Sequence, residues 1–485
     1  MKPYDVVIIG AGVVGSAIGR ELSRYKLNIA ILEKEEECGF GVSKSNSGII
    51  HPGTQHPAAS LKGKLCVRGN ILMRKISREL GVDFKEVGEL IIAFSREEIV
   101  RLMELKKEAE LLGVPRLKIV DKKWLKKNEP NLSDEAIAAL YAPTAGIISP
   151  YRLAYDLCEN AIKNGVEIHT DKKVRGIIKS GDCFEIQTQN GEFKSRYLIN
   201  AAGLCADDIS RMVGVSDFKI SPRKGEEFIL DKKKEHIVNH LLFPLPSKVS
   251  KGVLVIKTAD GNPMIGPTAE DASDKEDLAT SDEGLKKALA GARKMIPSIS
   301  ENDIIAYFAG LRPVGFTAPH PLAGEDFIIR HEHKATGFVN VAGIQSPGLT
   351  AAPAIAVLVS DILRNNGLTM KKKFHFCGHH REITHLFAIP FSRTKKLVKK
   401  DLAYGDIVCR CEMVSAKEVQ DAIRCGAKTL DGIKFRTRAQ AGRCHGSFCT
   451  TRIMKILAEE RKIPLTQITK RGRGSELVKE DRLDA

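Results

Sequence analysis

Three features of this 485-residue chain predict an α/β fold built around a nucleotide-binding sheet. The first is a short apolar run, Asp5-Val6-Val7-Ile8-Ile9, of the kind that forms a buried parallel strand. The second is the glycine turn that follows it without a gap, Gly10-Ala11-Gly12-Val13-Val14-Gly15. The third is a helical stretch from Ser16 to Arg24 and a second strand from Asn28 to Leu32 that stops at Glu33. Strand, turn, helix, strand and acid in this order are the elements a bound dinucleotide needs. Gly10 makes the tight turn, Gly12 lets main chain approach the pyrophosphate, and Gly15 lets helix and strand pack closely. The helix N-terminus then faces the phosphates. Glu33, 18 residues after Gly15, is placed to accept hydrogen bonds from ribose hydroxyls.

Two further signals favour FAD over NAD. Gly19 extends the pattern to GxGxxGxxxG, and a later run, Tyr197-Leu198-Ile199-Asn200-Ala201-Ala202-Gly203, reads as a strand ending in small residues that allow close backbone approach. Alternating strands at 167–170 and 184–188 precede it, and Asn190-Gly191 marks a hairpin turn.

The other concentrated signal is at the far end. Cys409-Arg410-Cys411 is followed, 33 residues after Cys411, by Cys444-His445-Gly446-Ser447-Phe448-Cys449. Four thiolates complete a [2Fe–2S] or a [4Fe–4S] centre. Structural zinc, the rival, usually spaces its thiols by two to four residues, which fits these intervals poorly. Arg410, Arg436, Arg438 and Arg443 lie in the same segment and would offset the charge of a thiolate-bound cluster. The remaining cysteines are scattered among apolar residues and read as small buried hydrophobes, so free thiols and a reducing cytoplasm are expected. Residues 5–10 read as a strand rather than a leader, and no run reaches the roughly 18 apolar residues of a membrane span.

Length and a 43% hydrophobic content allow two or three domains and a large core. The formal net charge of +16 attracts anions, yet one Trp and eight Tyr with no aromatic-basic module argue against nucleic acid. Lysines cluster at 371–373, 395–396 and 399–400, which suits a solvated basic surface or a docking face for a membrane or acidic partner. Residues 96–112 read as an amphipathic helix with a solvated charged face. His379-His380 beside Cys377 reads as part of a basic linker rather than a metal site.

With these motifs in view, residues 1 to about 365 resemble the D-amino-acid-oxidase-like FAD oxidoreductases. The carriers are GAGVVG at 10–15, Ser45-Asn46-Ser47-Gly48-Ile49-Ile50-His51, NAAG at 200–203, Gly310-Leu311-Arg312-Pro313, and Gly343-Ile344-Gln345-Ser346-Pro347-Gly348-Leu349-Thr350. Within that family the resemblance runs to flavin-dependent glycerol-3-phosphate dehydrogenases and oxidases and to L-2-hydroxyglutarate dehydrogenases. The segment from Cys409 to Cys449 resembles the bacterioferritin-associated-ferredoxin-like [2Fe–2S] domain, a fusion also found on the large subunit of anaerobic glycerol-3-phosphate dehydrogenase. The resemblance implies cofactor contacts from Gly10, Gly12, Gly15, Glu33, Lys34, Ser45, Asn46, Ser47, Gly48, Val174, Ala202, Gly203, Gly343, Gly348, Leu349 and Thr350. It implies Cys409, Cys411, Cys444 and Cys449 as cluster ligands.

Oxidising a secondary alcohol on a flavin needs a base, and His51 is the natural one because imidazole titrates near neutrality. His56 is the nearest competitor. Arg312, flanked by Gly310, Pro313 and Gly315 in an expected tight turn, is the anion anchor, and Ser346 is placed to bond the reacting oxygen. Helix amides opening at Gly348 would face the flavin pyrimidine. Arg223-Lys224-Gly225-Glu226 reads as a strand end at the roof of the site, with Lys224 toward substrate, or as a solvated turn.

The predicted architecture is therefore a Rossmann-type FAD-binding domain interleaved with an α+β substrate domain, plus a small helical Fe–S domain. FAD-binding parts are expected at 1–79, 191–214 and 311–365, and the substrate domain at 80–190 and 215–310. A linker at 366–402, the cluster domain at 403–460 and a charged tail at 461–485 complete the chain. The expected activity is oxidation of sn-glycerol 3-phosphate, with L-2-hydroxyglutarate or another L-2-hydroxy acid as the alternative substrate. A reading of another class is a non-catalytic electron-transfer subunit. Expected partners are the small anionic hydroxy substrate and a second electron-transfer subunit or quinone-linked acceptor. An oligomer, with peripheral association at the inner membrane face, is also expected.

Overall fold

A computed structural model of the chain describes residues 3–246, 252–317, 326–379 and 383–479. The parallel core of the first sheet runs Phe338–Ala342, Gly191–Asn200, Tyr4–Ile9, Ile29–Leu32 and Glu167–His169. Its central strand Tyr4–Ile9 has Val6, Val7 and Ile8 fully buried, as a strand covered on both faces requires. Helices Val13–Leu22, Leu61–Leu80, Pro150–Lys163 and Gly348–Asn365 cover one face. Gly69 allows two of them to touch: a Cβ there would come 2.1 Å from the Thr350 carbonyl oxygen.

The second sheet is mixed and nine-stranded. Its longest pairing joins Phe218–Leu230 to Ile304–Thr317 antiparallel, with Gly225 opposite Gly310 and Arg223 opposite Arg312. Helix Asp282–Met295 packs behind it, capped by Ser281, whose amide and hydroxyl both donate to Glu226. Among the described residues no helix is long and apolar enough to cross a membrane.

Several expectations are corrected here. Strands Glu167–His169, Val174–Ser180 and Cys183–Thr188, placed by sequence in the substrate domain, belong to the nucleotide-binding sheet. Their alternating pattern shows half-buried strands but carries no information about which sheet they join. Residues 310–315 form no tight turn; they lie inside the long strand Ile304–Thr317, as 223–226 lie inside Phe218–Leu230. Cys38 and Cys158, expected as free thiols, are joined in a disulfide, because the loop after Ile29–Leu32 lies on helix Pro150–Lys163. The segment 371–379 is a strap rather than a free linker. It fastens to the nucleotide-binding domain through Lys26 N–H to the Lys371 carbonyl, Lys373 N–H to the Arg24 carbonyl, and Cys377 N–H to Asn164. The carbonyls of Cys377 and His379 accept from buried Asn160, which gives that amide the partners burial demands. His380 lies outside the described residues. Helix Phe391–Lys400 follows, with no buried residue and an exposed row of lysines.

The C-terminal unit has its own core, with Val419, Ile433, Ile453 and Leu457 fully buried. Helices Ala416–Arg424, Leu430–Thr437 and Thr450–Arg461 surround the core beside a small hairpin. The tail folds back as far as it is described: Thr469 and Lys470 carbonyls accept from Leu430 and Asp431 amides. Three of the four arginines of this segment, Arg436, Arg438 and Arg443, reach groups of the body and dock this unit. Arg436, 7% exposed, bridges Glu37 at 2.9 Å and Glu159 at 3.0 Å and stacks on Tyr155. Arg438 reaches Asp260, Glu412, Tyr151 and Asn262, and Arg443 reaches Asp231. A buried guanidinium is held by carboxylates because leaving it unpaired costs several kcal/mol. Glu37 is satisfied on its other oxygen by the Lys428 and Thr429 amides and the Thr429 hydroxyl.

Replacing Arg436 with Ala leaves Glu37 and Glu159 without their cation. We expect destabilisation of about 3–5 kcal/mol in denaturant unfolding, with the C-terminal unit releasing first. An unchanged midpoint would show that the docking rests elsewhere.

Candidate active site

A cavity of about 1000 Å³ extends from the first glycine turn to the face of the second sheet. At one end Gly10 sits at φ +105, and a Cβ there would come 2.5 Å from the Ala201 carbonyl oxygen. A Cβ on Gly15 would lie 1.9 Å from the Gly10 carbonyl oxygen, so helix and turn meet only through glycine. Gly10, Gly12, Glu33, Lys34, Ser45, Asn46, Ser47, Val174, Ala202, Gly203, Gly348 and Leu349 line the cavity. Glu33 is 8% exposed and accepts from the Ala11 and Glu35 amides at 2.7 and 3.0 Å. Burial raises its carboxyl above the ordinary range. With two oxygens it keeps lone pairs for a ribose. The turn with no room for side chains, the helix N-terminus and the acid fit the adenine dinucleotide half of FAD.

Gly15, Gly48, Gly343 and Thr350 support the cavity without lining it. Gly48, at φ +67, leaves room for the Ile148 carbonyl, and Gly343 packs against Gly315. Thr350 accepts from the His51 amide at 2.9 Å and donates to the Ile49 carbonyl at 3.3 Å. This joins the loop before His51 to the start of helix Gly348–Asn365.

His51 is 9% exposed and lines the cavity. Its Nε2 lies 3.4 Å from Ser346 Oγ, and its Nδ1 lies 3.8 Å from Glu89 Oε2. Glu89 is fully buried and takes a hydrogen bond from the Thr54 hydroxyl. The imidazole therefore has a carboxylate behind it and a hydroxyl in front. The Asn70 side chain fixes the His51 carbonyl at 3.0 Å. His56 lines the cavity too.

The opposite wall comes from the paired strands Phe218–Leu230 and Ile304–Thr317. Arg312 donates to the Thr268 carbonyl at 3.0 Å, and its guanidinium lies over Gly225, where a Cβ would be 2.5 Å away. Arg223 lines the same wall and pairs with Asp271 at 2.9 Å. Lys224, expected toward substrate, pairs with Asp277 at 2.8 Å and is absent from the lining, because alternation turns it to the other face. Glu227 is 3% exposed, lines the cavity and accepts from the Ser47 hydroxyl. Burial pushes its carboxyl up to about 7, against the pull of the Ser47 bond and of Arg312.

In the C-terminal unit the four cysteines approach in pairs. Cys411 and Cys444 sulfurs are 3.5 Å apart, and Cys449 hydrogen-bonds Cys409. That bond, aided by main-chain amides, brings the Cys409 thiol down to about 6, while the Cys449 thiol is pushed up. Among the described residues no three His, Cys, Asp or Glu ligands surround one metal position. Two pairs of sulfurs fit a two-iron centre better than a single zinc.

Reading the sequence missed Glu89, Glu227 and Ser43, whose hydroxyl accepts from the Val13 amide at 2.9 Å. Glu89 had a usable signal as the one charge opening the buried strand Glu89-Leu90-Ile91-Ile92-Ala93. Glu227 had none, since Glu226 beside it is equally acidic.

A raised carboxyl makes folding prefer the protonated form. The contribution of Glu227 to stability is therefore present below its ordinary value near 4.5 and lost as pH rises through about 7. Urea unfolding from pH 4.5 to 8 should show Glu227→Gln lacking a fall on the order of 3 kcal/mol that the unsubstituted protein shows. Parallel curves would refute the shift.

Comparison with known proteins agrees with this geometry. Residues 5–362 match the family model "FAD dependent oxidoreductase", and residues 407–459 match "BFD-like [2Fe-2S] binding domain". A glycerol 3-phosphate dehydrogenase of Caloramator mitchellensis is 42% identical over 98% of both chains. Human mitochondrial L-2-hydroxyglutarate dehydrogenase is 29% identical over 74% of this chain and 88% of its own. The FAD-bound L-alpha-glycerophosphate oxidase of Mycoplasma pneumoniae superposes with a TM-score of 0.73 at 31% identity, covering 78% of this chain and 99% of that one. A dinucleotide cradle, a histidine and an arginine facing one cavity, and paired cysteines on a separate unit thus have one common explanation. The chain belongs to the FAD-dependent oxidoreductase family and carries a BFD-like [2Fe–2S] domain at its C-terminal end.

Proposed function

We propose that this enzyme is a dehydrogenase that oxidises sn-glycerol 3-phosphate to dihydroxyacetone phosphate. The observation that carries the reading is the convergence of His51, Ser346 and Arg312 on the cavity that also holds the nucleotide cradle. Arg312, on a rigid two-stranded wall, binds the phosphate through its planar fork. Ser346 bonds the C2 hydroxyl, and His51 removes its proton at Nε2. Glu89 behind Nδ1 favours the tautomer that leaves Nε2 unprotonated, and then balances the imidazolium. The burial of His51 keeps competing water away. FAD in the cradle supplies a two-electron acceptor, and a [2Fe–2S] cluster on Cys409, Cys411, Cys444 and Cys449 supplies a one-electron relay. A second electron-transfer subunit or a quinone-linked carrier is the external acceptor in this reading, because a relay is unnecessary where flavin reacts directly with oxygen.

A second substrate, L-2-hydroxyglutarate, is favoured by the cations Arg223 and Lys62, which line the same cavity as Arg312 and suit a second carboxylate.

Anaerobic mixing with each substrate tests the reading through bleaching of flavin absorbance. We expect bleaching by sn-glycerol 3-phosphate, slowed about 10²–10⁴-fold in His51→Ala while FAD retention holds. Equal loss of reduction and FAD would recast His51 as structural. For the relay, Cys409→Ser should abolish the paramagnetic signal of the reduced cluster and leave flavin absorbance intact; a persisting signal would rule out Cys409 as a ligand.

A further inference from the structure

Glu226 and Glu227 are adjacent, both buried, and opposite in circumstance. Glu226 faces away from the cavity, with its oxygens taken by the Ser281 amide at 2.9 Å and the Ser281 hydroxyl at 3.0 Å. It holds Ser281, the residue that caps helix Asp282–Met295, a complete structural role. Glu227 faces the cavity with Oε1 bonded to Ser47, while its Oε2 is buried with no hydrogen-bond partner among the described residues. An unpaired buried carboxylate oxygen costs free energy that folding alone does not recover.

Its position on the wall suggests what the oxygen is for. The face presents Arg312 beside Arg223, then Gly310 beside Gly225, then Glu227. The Arg312 guanidinium leans over Gly225, so it reaches toward Glu227 rather than away from it. One pleat repeat, roughly 7 Å, separates Gly225 from Glu227. The Ser45 carbonyl fills the space above Gly310, which pins the Ser45–Ser47 loop and holds Ser47 on Glu227. A guanidinium and an acid with a buried, unpartnered oxygen thus lie on one face, about one pleat repeat apart along the strand.

We propose that Glu227 is a specificity-determining residue whose Oε2 hydrogen-bonds the uncharged terminal hydroxyl of a substrate held at its other end by Arg312. This deepens the reading of the substrate as sn-glycerol 3-phosphate and rests on it. A hydroxyl is both donor and acceptor, so it satisfies Glu227 whether or not the carboxyl carries its proton. A carboxylate only accepts. Against ionised Glu227, itself buried, it meets a like charge, and repulsion at a buried group is screened little by salt. Arg312 and Arg223 are the charged groups that share the paired strands of this wall with Glu227, His51, His56 and Lys62 also line the cavity, and the Arg312 guanidinium is the group that lies over Gly225. The wall thereby selects compounds with one anionic end and one neutral hydroxymethyl end, and turns away dicarboxylates.

The test uses the FAD-loaded full-length enzyme and three probes: sn-glycerol 3-phosphate, propane-1,2-diol 1-phosphate, which has a methyl group where the first has the terminal hydroxymethyl, and L-2-hydroxyglutarate. Anaerobic flavin reduction is followed against concentration, separating affinity from limiting rate, and FAD content is measured in parallel. We expect the unsubstituted enzyme to prefer the glycerol compound over its deoxy analogue by about 10–100-fold in kcat/KM. Glu227→Ala should collapse that preference to within about threefold, through affinity. Glu227→Gln, which donates and accepts without charge and serves if the Ala variant folds poorly, should keep the preference and raise the efficiency with L-2-hydroxyglutarate about tenfold or more. A preference absent from the unsubstituted enzyme, or surviving in Glu227→Ala, overturns the assignment, as does a Gln variant no more open to the dicarboxylate. Loss of FAD with the preference intact makes Glu227 a cofactor contact and overturns it too. In all these cases glycerol 3-phosphate is still oxidised and the broader reading stands. Bleaching of the unsubstituted enzyme by L-2-hydroxyglutarate instead, or by neither, removes the reading and this assignment together.

Discussion

The pairing of Phe218–Leu230 with Ile304–Thr317 is the constraint on which the site depends. Two long strands in fixed register place Arg223, Gly225 and Glu227 of one beside Arg312 and Gly310 of the other on a single face. A slip by one residue would send every one of these groups to the far side, where Glu226 and helix Asp282–Met295 now lie. Gly225 and Gly310 are opposite each other for a steric reason. One makes room for a guanidinium and the other for a main-chain carbonyl, at distances no Cβ tolerates. The wall is thus both sheet and cavity lining, and its rigidity holds Arg312 at a fixed distance from the histidine loop.

That loop is held from its other side. Thr350, at the start of helix Gly348–Asn365, bonds the His51 amide and the Ile49 carbonyl, while Asn70 holds the His51 carbonyl. Main-chain bonds fix where His51 is, and Glu89 and Ser346 act on its ring. Position and chemistry are therefore carried by different residues. This division explains why Gly48, Gly343 and Thr350, though outside the cavity lining, belong to its construction.

The C-terminal unit is joined to the body by buried charge. Arg436 lies between Glu37 and Glu159, and Glu37 follows closely on Glu33, the acid of the nucleotide cradle. A docking made of fully paired, water-excluded ions is directional and intolerant of partial opening. It holds the paired cysteines at a fixed place relative to the first sheet, which suits a relay better than a unit swinging on a linker. The strap at 371–379 serves the same end by covering Arg20 and Asn160.

What the sequence determined by itself was local. The strand at Tyr4–Ile9, the turn of Gly10, Gly12 and Gly15 and the acid Glu33 are legible because contiguous residues impose their geometry. The four cysteines, by contrast, were legible as two sequence pairs whose sulfurs meet across the motifs, Cys411 with Cys444 and Cys409 with Cys449. The family motifs pointed to His51, Arg312 and Ser346, all of which line the cavity. Tertiary structure alone decided the rest. A period of two told that 167–188 held strands but not which sheet would take them. Glycines and a proline around Arg312 looked like a turn because their reason for being small lies across the fold, in a partner strand and a passing loop. Glu226 and Glu227 are the same residue type at neighbouring positions. Only the sheet's alternation sets one against the helix cap Ser281 and leaves the other on the cavity side with a buried, unpartnered oxygen. Chemistry that depends on what lies within a few ångströms is settled by distant chain segments, and those meet only when the chain is folded.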